Sequence, residues 1–594
     1  MIRNRRSTIA ALVLGLLPMV AAPPMASVHD VSQQDALTAK RTSLVADAAM
    51  RGDLVAVQAL LKDRADVNAA QGDGMTALHW AAESGNQELA RVVLKAGANP
   101  AAASRIARHT PLHLAAIGGH SVVARLIVDA GAGVNATTTT GASALHFTAT
   151  AGSAATATLL LDRGANVNAR EPQWGQTPLM FAAAAGRTDV VKLLLTRGAD
   201  MRSTGKVVDV NARDKADGAE SRARNARIAA SRQALMANVA GATAPAAPGG
   251  RAPRDADSGN EPEPLGYAAL VGSHGGLTAT LLAAREGHKD TVYALLDGGA
   301  DINQVSASDL TSPLLMACIN GHFDLAQRLL ARGANPALAS DAGATPLYAV
   351  LNMQWAPKSR HPQPTHYMQQ QVGYIELAEA LLKAGADPNA RLRRSLWYTT
   401  YNRDLLGVDR SGATPFWLAA YTLDIPVMRM LLKYSADPYV GTTRVPERYE
   451  EGGGDFTGPD KSGLPPAPFG GPAVSALHAA AGVGYGLGFA GNSHRHVPDG
   501  WIPAVKFLVE ELGFDVNSRD HNGYTPLHHA ASRGDNALIL YLVSKGADVE
   551  AVSRSGQTTV DMANGPVQRV QPYPETMALL ESMGAKNNHR CVSC

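Results

Sequence analysis

Cysteine is nearly absent from this chain. Cys318, Cys591 and Cys594 are the three in 594 residues. So few exclude a disulfide framework, and packing must hold the fold. Aromatic residues make up 5% and charged residues 18%, with a net charge of +2. Neither sign dominates enough to point to nucleic acid or to an acidic membrane surface. Beyond the N-terminus no apolar run is long enough to span a bilayer. Catalytic signatures are missing as well: there is no G-x-S-x-G, no H-E-x-x-H and no Walker P-loop. The stretch "GYGLGFAGN" is glycine-rich, but no strand precedes it, so it is a poor phosphate loop. The chain therefore reads as a non-enzyme without a cofactor.

Apolar residues reach 45%, and alanine, glycine and leucine dominate. A chain this long exceeds one ordinary core, so it forms several domains or a repeat array. Arg3, Arg5 and Arg6 precede an apolar run from Ile9 to Ala22. This run falls short of the roughly 20 residues a spanning helix needs, and small residues follow it, as in a secretory signal over residues 1–26 cleaved near Ala22 or Ala26. An uncleaved anchor and a twin-arginine signal at Arg5-Arg6 are the alternatives.

One pattern recurs about every 33 residues. It reads "GMTALHWAAESGNQELARVVLKAGANP", "RHTPLHLAAIGGHSVVARLIVDAGAGVNA", "GLTATLLAAREGHKDTVYALLDGGADIN" and "DHNGYTPLHHAASRGDNALILYLVSKGADVEA" in four of its copies. Such a period marks a solenoid whose units cannot bury their apolar faces alone. In the last copy Thr525 suits a helix N-cap and Pro526 the first turn, where no N–H is needed. Leu527, Ala530 and Ala531 make a narrow apolar stripe. Gly534 and Gly546 stand twelve residues apart at two helix ends, as do Gly119 and Gly131. Thr110, Pro111 and His113 repeat the same opening. Cys318 falls at an inner helical position, as a packed neutral thiol.

These units resemble the ankyrin repeat, T-P-L-H-x-A-A-x-x-G-H followed by L-L-x-x-G-A-D-x-N. The resemblance implies an all-α solenoid of about twelve helix-turn-helix units with finger loops along one edge. It also implies a protein-binding scaffold. The histidine of T-P-L-H is then structural, bonded to the threonine and to a nearby loop. The His528 column supports this, since it reads His79, His113, His146, Met180, Leu281, Leu315, Tyr348, Trp417, His478, His528 and Asp561. No metal or catalytic role runs through Leu, Met and Trp. His529, at the variable position beside it, is expected on the surface.

The blocks are residues 42–203 and 276–586, separated by an insertion at 204–275. In that insertion "DVNARDKADG" reads as a displaced finger. A basic helix follows, with Arg222, Arg224, Arg227 and Arg232, and then a flexible linker. Further insertions interrupt residues 352–501, where four of the six tryptophans and, with Tyr348 just before them, ten of the fifteen tyrosines lie. Rigid rings are enriched at binding hot spots. The candidate binding residues are therefore Trp355, Trp397, Tyr398, Tyr401, Trp417 and Trp501, with pinning of the loops as the competing role. His494, His496 and Asp499 in "SHRHVPD" are a weak metal signal, and no metal is expected.

The tail, 587–594, ends "NNHRCVSC". Cys591 and Cys594 suit a local disulfide after export. A thioredoxin-like motif would need a βαβ setting that is missing here. Half a zinc site with His589, and a haem-attachment motif lacking its histidine, are the other readings. Taken together, the sequence describes a monomeric scaffold for unidentified protein partners, engaged by the concave and finger face and the aromatic-rich insertions; a redox or electron-transfer subunit with a haem-attachment-like C-x-x-C, and an enzyme with its site in 352–501, are the alternatives. It has no nucleic-acid role and no membrane span after signal removal. The expected location is the periplasm or the exterior of a bacterium. N-terminal sequencing of the native protein should find at least the first 22 residues removed. An intact Met1 on cytoplasmic protein would contradict export.

Overall fold

The computed structural model describes residues 43–237, 265–356, 364–400, 406–446, 460–486, 493–565 and 571–589. The signal segment, Tyr401, Cys591 and Cys594 lie outside them. The chain divides into two compact units: residues up to 118 with 122–133, and residues 119–121 with 134 onward.

The first unit stacks short helix pairs, beginning with Leu44–Met50 and Leu54–Lys62 and continuing with Ala77–Ser84 and Gln87–Lys95. The sequence sets each boundary. Thr76 is extended, at φ −100° and ψ 170°, and forms a capping box with His79. Asn86 caps the next helix by accepting from the Leu89 amide at 3.0 Å. Ala77, Leu78, Ala81 and Ala82 are buried, and their small side chains let neighbouring helices approach closely.

The second unit repeats this grammar from Ala144–Ala151 to Pro574–Ser582. Thr525 caps Pro526–Ser532 with Pro526 in the first turn. The excursion at 204–275 is closed at its base by two antiparallel strands, Val207–Asp209 and Ser273–Gly275. Across it the helix pairs pack without a break: Pro178–Ala184 lies on Ala279–Arg285, and Thr188–Thr196 on Lys289–Asp297. The Thr188 and Thr291 hydroxyls are 2.8 Å apart. The array is therefore continuous, and the insertion loops out of it.

One expectation fails here. "DVNARDKADG" is not a finger but the start of a long helix, Val210–Ala237. Asp209 accepts from the Ala212 amide at 2.9 Å and so caps the helix before Ala, Arg and Lys continue it.

The finger loops are fastened by asparagine. Asn517 donates from Nδ2 to the Gly546 carbonyl at 2.9 Å and accepts from the Asp548 amide at 2.8 Å. Asn68 makes the same pair with Gly97 and Asn99 in the first unit. Asn135 does so with Gly164 and Asn166, and Asn168 with Gly198 and Asp200.

Gly131, Gly534 and Gly546 all adopt positive φ. A Cβ on Gly546 would meet nothing within 4 Å, whereas one on Gly534 would lie 2.5 Å from the Tyr573 ring. Gly546→Ala should therefore cost only the left-handed penalty of about 1–2 kcal/mol. Gly534→Ala should cost more, because the ring must also move. Denaturant unfolding of both variants checks this, and equal losses would contradict it.

Candidate functional site

The residue that follows the histidine column changes in burial along the chain. In the plain repeats it is large and half-buried: Trp80 and Leu114 in the first unit, Phe147 and Phe181 in the second. Further along the second unit the same position is closed. Leu282 is 3% exposed, Met316 9%, Ala349 2%, Leu418 1%, Ala479 0% and His529 1%. All seven residues of Pro415–Tyr421 and all seven of Pro526–Ser532 are buried.

Described parts of the insertions bond to the scaffold here. The Val497 amide donates to the Thr422 carbonyl at 3.0 Å, and Ala473 and Thr442 exchange backbone bonds with Thr442 and Val474. Arg394 reaches the Leu270 carbonyl at 2.9 Å and Asp341 at 2.6 Å, tying one finger insertion to the leg of the earlier excursion. The glycine-rich stretch follows from this close packing. A Cβ on Gly484 would sit 2.6 Å from the Leu406 carbonyl oxygen, and one on Gly482 2.3 Å from the Arg533 side chain.

The proposed binding aromatics have partners inside the protein. Trp355 donates from Nε1 to Asp424 at 3.0 Å, and the Tyr374 hydroxyl donates to the same oxygen at 2.9 Å. The other Asp424 oxygen caps the helix Ile425–Lys433. Trp417 is a correction. It is 0% exposed, stacks on Tyr421 at 5.3 Å and donates to the Val474 carbonyl at 2.9 Å, so it is core and meets no partner. Trp397 and Tyr398 are half-buried against each other, with ring centroids 5.9 Å apart. Burial pushes the Tyr398 hydroxyl pKa well up. Trp501 is half-buried with the Arg533 guanidinium 3.2 Å above its ring. Only parts of Trp355, Trp397, Tyr398 and Trp501 remain for an outside contact.

The column histidines are architectural. His528 is 2.8 Å from the Thr525 hydroxyl through Nδ1 and 3.4 Å from the Gln557 carbonyl, 29 residues on, through Nε2. His79 joins Thr76 to the His109 carbonyl, and His146 joins Ser143 to the Gln176 carbonyl. His113 is likewise 2.9 Å from Thr110.

His529 differs from the surface role expected of it. It is buried, and its Nε2 donates to Asp520 at 3.1 Å. Asp520 also accepts the Asn522 and Tyr524 amides, both at 2.9 Å, and so shapes the turn before the repeat. Glu171 serves the same place earlier, accepting from Gln173, Trp174 and Gln176. The acid in the turn was the available signal, but its pairing with His529 crosses nine positions and is not a periodic feature.

The His494 and His496 rings lie 5.0 Å apart. Among the described residues no group of three or more His, Cys, Asp or Glu side chains is placed to hold a metal. Cys318 is wholly buried, which pushes its thiol pKa well up and leaves no nucleophile. No helix among the described residues is long and apolar enough to cross a membrane.

Burial lowers His478 to about 4 and His528 to about 3. An unfolded histidine takes its proton near pH 6.5. Between these values the unfolded chain binds more protons, so stability falls as pH falls, by about 1.4 kcal/mol per pH unit for each such histidine. Burial alone would favour the neutral Asp520 acid. The hydrogen bond from His529, with the charges of His529, His478 and His521, outweighs burial and holds the carboxyl below its usual range. Its contribution is present above the unfolded carboxylate value, about pH 4, and is lost below it. The unfolding temperature should thus drop steadily from pH 7 to pH 4.5, and His528→Asn should flatten the slope. A melting temperature constant over that range would contradict this.

A family model described as Ankyrin repeats (3 copies) matches residues 9–104, 45–138, 112–205, 259–340, 280–392 and 493–565, together more than half of the chain. Ninety residues are 36% identical to Protein phosphatase 1 regulatory subunit 12A of Mus musculus, covering 15% of this chain and 7% of that protein. Over 69 residues the chain is 41% identical to Protein phosphatase 1 regulatory subunit 27 of Mus musculus, covering 12% and 44%. Over 64 residues it is 42% identical to Alpha-latrocrustotoxin-Lt1a of Latrodectus tredecimguttatus, covering 11% and 4%. The chain spans less than half the length of each of these relatives.

Proposed function

The chain belongs to the ankyrin-repeat proteins, and from that premise we propose that it is a non-enzymatic scaffold that holds a protein partner outside the cytoplasm. One observation carries the reading. The position after the histidine column is large, apolar and half-exposed from Trp80 to Phe181, then closed from Leu282 to His529. Phe147 and Phe181 in the second unit, and Trp80 in the first, offer rigid rings of the kind that anchor interfaces. Two of the relatives are by name regulatory subunits, which supports an adaptor over a catalyst. The half-exposed Trp397 and Tyr398 are a second contact region, within the finger insertion. The arginine-flanked apolar start supports action after export to the periplasm or beyond.

Affinity capture from the native envelope, compared between wild type and variants, tests this. A partner enriched by wild type should be lost with Phe147→Ala/Phe181→Ala. Trp397→Ala should weaken its binding by roughly 1 kcal/mol or more. Neither change should unfold the array. Full retention of the partner by the double variant would overturn the reading.

A further inference from the structure

Among the described residues, eight finger turns close without a long insertion, each by a backbone hydrogen bond across its tip. Five join residues four apart: Gln71 to Met75, Thr138 to Ala142, Ser340 to Ala344, Asp520 to Tyr524 and Ser553 to Gln557. Three are one residue longer: Ser104 to His109, Glu171 to Gln176 and Ser306 to Thr311. The short tips hold small or polar residues, with a glycine at positive φ before the closing residue, as at Gly343 and Gly523. Each long tip instead carries a large exposed apolar side chain: Ile106 in the first unit, Trp174 and Leu310 in the second. Leu310 stands where the short tips have glycine and takes the same left-handed backbone, at φ 62°. A branched side chain is strained there, and this one also leaves apolar surface in water. Strain of this kind marks a position kept for contact with something else.

In the second unit the base of the excursion at 204–275 joins the two long tips. The Lys206 amide donates to the Trp174 carbonyl at 2.7 Å, the Gly276 amide to the Lys206 carbonyl at 2.9 Å and the Ala307 amide to the Gly276 carbonyl at 3.0 Å. Val207, 46% exposed, stands between them on its strand. The charges along this edge are unequally engaged. Glu171 is buried and accepts the Gln173, Trp174 and Gln176 amides, and Asp309 accepts from Ser306 and Thr311. Asp209 caps its helix at the Ala212 amide, where the helix dipole offsets its charge. Arg170 and Lys206 are exposed, and they donate to the Thr204 and Pro172 carbonyls and the Ser203 hydroxyl rather than to a carboxylate. The charge left for a partner to meet beside Trp174 is therefore positive, and a negative group complements it.

We propose that Trp174, Val207 and Leu310, with Arg170 and Lys206, form a docking edge for a protein segment that carries a carboxylate beside an apolar side chain. The proposal rests on the reading of the chain as a protein-binding scaffold and adds a contact apart from Phe147 and Phe181. The partner's apolar side chain covers the Trp174 ring and its aliphatic neighbours. Its Asp or Glu accepts from the N–H donors of Arg170 and Lys206 that the carbonyls leave over. Lys206 and Val207 belong to the excursion, so the repeats alone do not build this edge.

The test is selection of a phage-displayed library of random linear peptides on the intact full chain. Enriched peptides should carry Asp or Glu next to an aromatic or branched apolar residue. The best of them, titrated into purified protein, should bind Trp174→Ala about tenfold more weakly than wild type. Leu310→Gly should bind it about threefold or more weakly, yet melt no lower than wild type, because glycine suits the left-handed turn. Phe147→Ala/Phe181→Ala should leave the affinity unchanged. No enrichment, enrichment of basic or uncharged peptides, undiminished binding by Trp174→Ala, or a lower melting temperature of Leu310→Gly would overturn the proposal. Loss of the peptide with Phe147→Ala/Phe181→Ala alone would overturn it too, by moving the contact to the first-helix face, and would leave the scaffold reading standing.

Discussion

A polar clasp between successive repeats sets their register wherever the column carries histidine. An imidazole binds its own helix cap with one nitrogen and the carbonyl ahead of the next repeat with the other, as His528 does between Thr525 and Gln557. Along the finger edge an asparagine does the equivalent with both ends of its amide, as Asn517 does with Gly546 and Asp548. Each bond contributes only about 0.5–1.5 kcal/mol net, whereas a buried leucine contributes about 1.5–3 kcal/mol. Burial therefore supplies the stability, and the clasps supply the register. Where the column carries Leu281 or Leu315, no such bridge is possible, and packing and the Thr278 and Ser312 caps hold the register.

A fixed register is what makes the insertions possible. Because the helix pairs on either side of 204–275 pack on each other directly, the excursion adds surface without breaking the stack. Described residues of the later insertions bond to the helix Pro415–Tyr421 and its end, as Val497 does to Thr422 and Val474 to Trp417. Trp417, Tyr421 and Phe416 on that helix are each at most 2% exposed. The repeats from Trp80 to Phe181 keep open a face that those from Leu282 onward bury, and this difference underlies the functional reading.

Much of the fold was legible in the sequence, because caps, alanine stripes and paired glycines are local signals. Thr525, Pro526 and Gly546 stand where their chemistry requires. The structural role of the histidines was legible too, since a column running through Met180, Leu281 and Trp417 cannot be a metal site. Four matters were not legible. Where a long loop lands depends on tertiary packing, so Trp417 was taken for a contact residue although it is core. The pairing of His529 with Asp520 joins a helix to the preceding finger and has no periodic signature. Asp209 as a cap turns a finger-like string into the first turns of a helix. The setting of His494 was visible only as two alternating histidines, because the rings around it come from Tyr421, Tyr485 and Trp501, far apart in the chain.

The central claim is that the first-helix face is open at Trp80, Phe147 and Phe181 and closed from Leu282 onward. Hydroxyl-radical footprinting of the intact native protein tests it most directly. Trp80, Phe147 and Phe181 should be oxidised readily, and Trp417 and Tyr421 should be protected until the protein unfolds. Oxidation of Trp417 and Tyr421 in the folded protein at the rate of Phe147 and Phe181 would contradict the account.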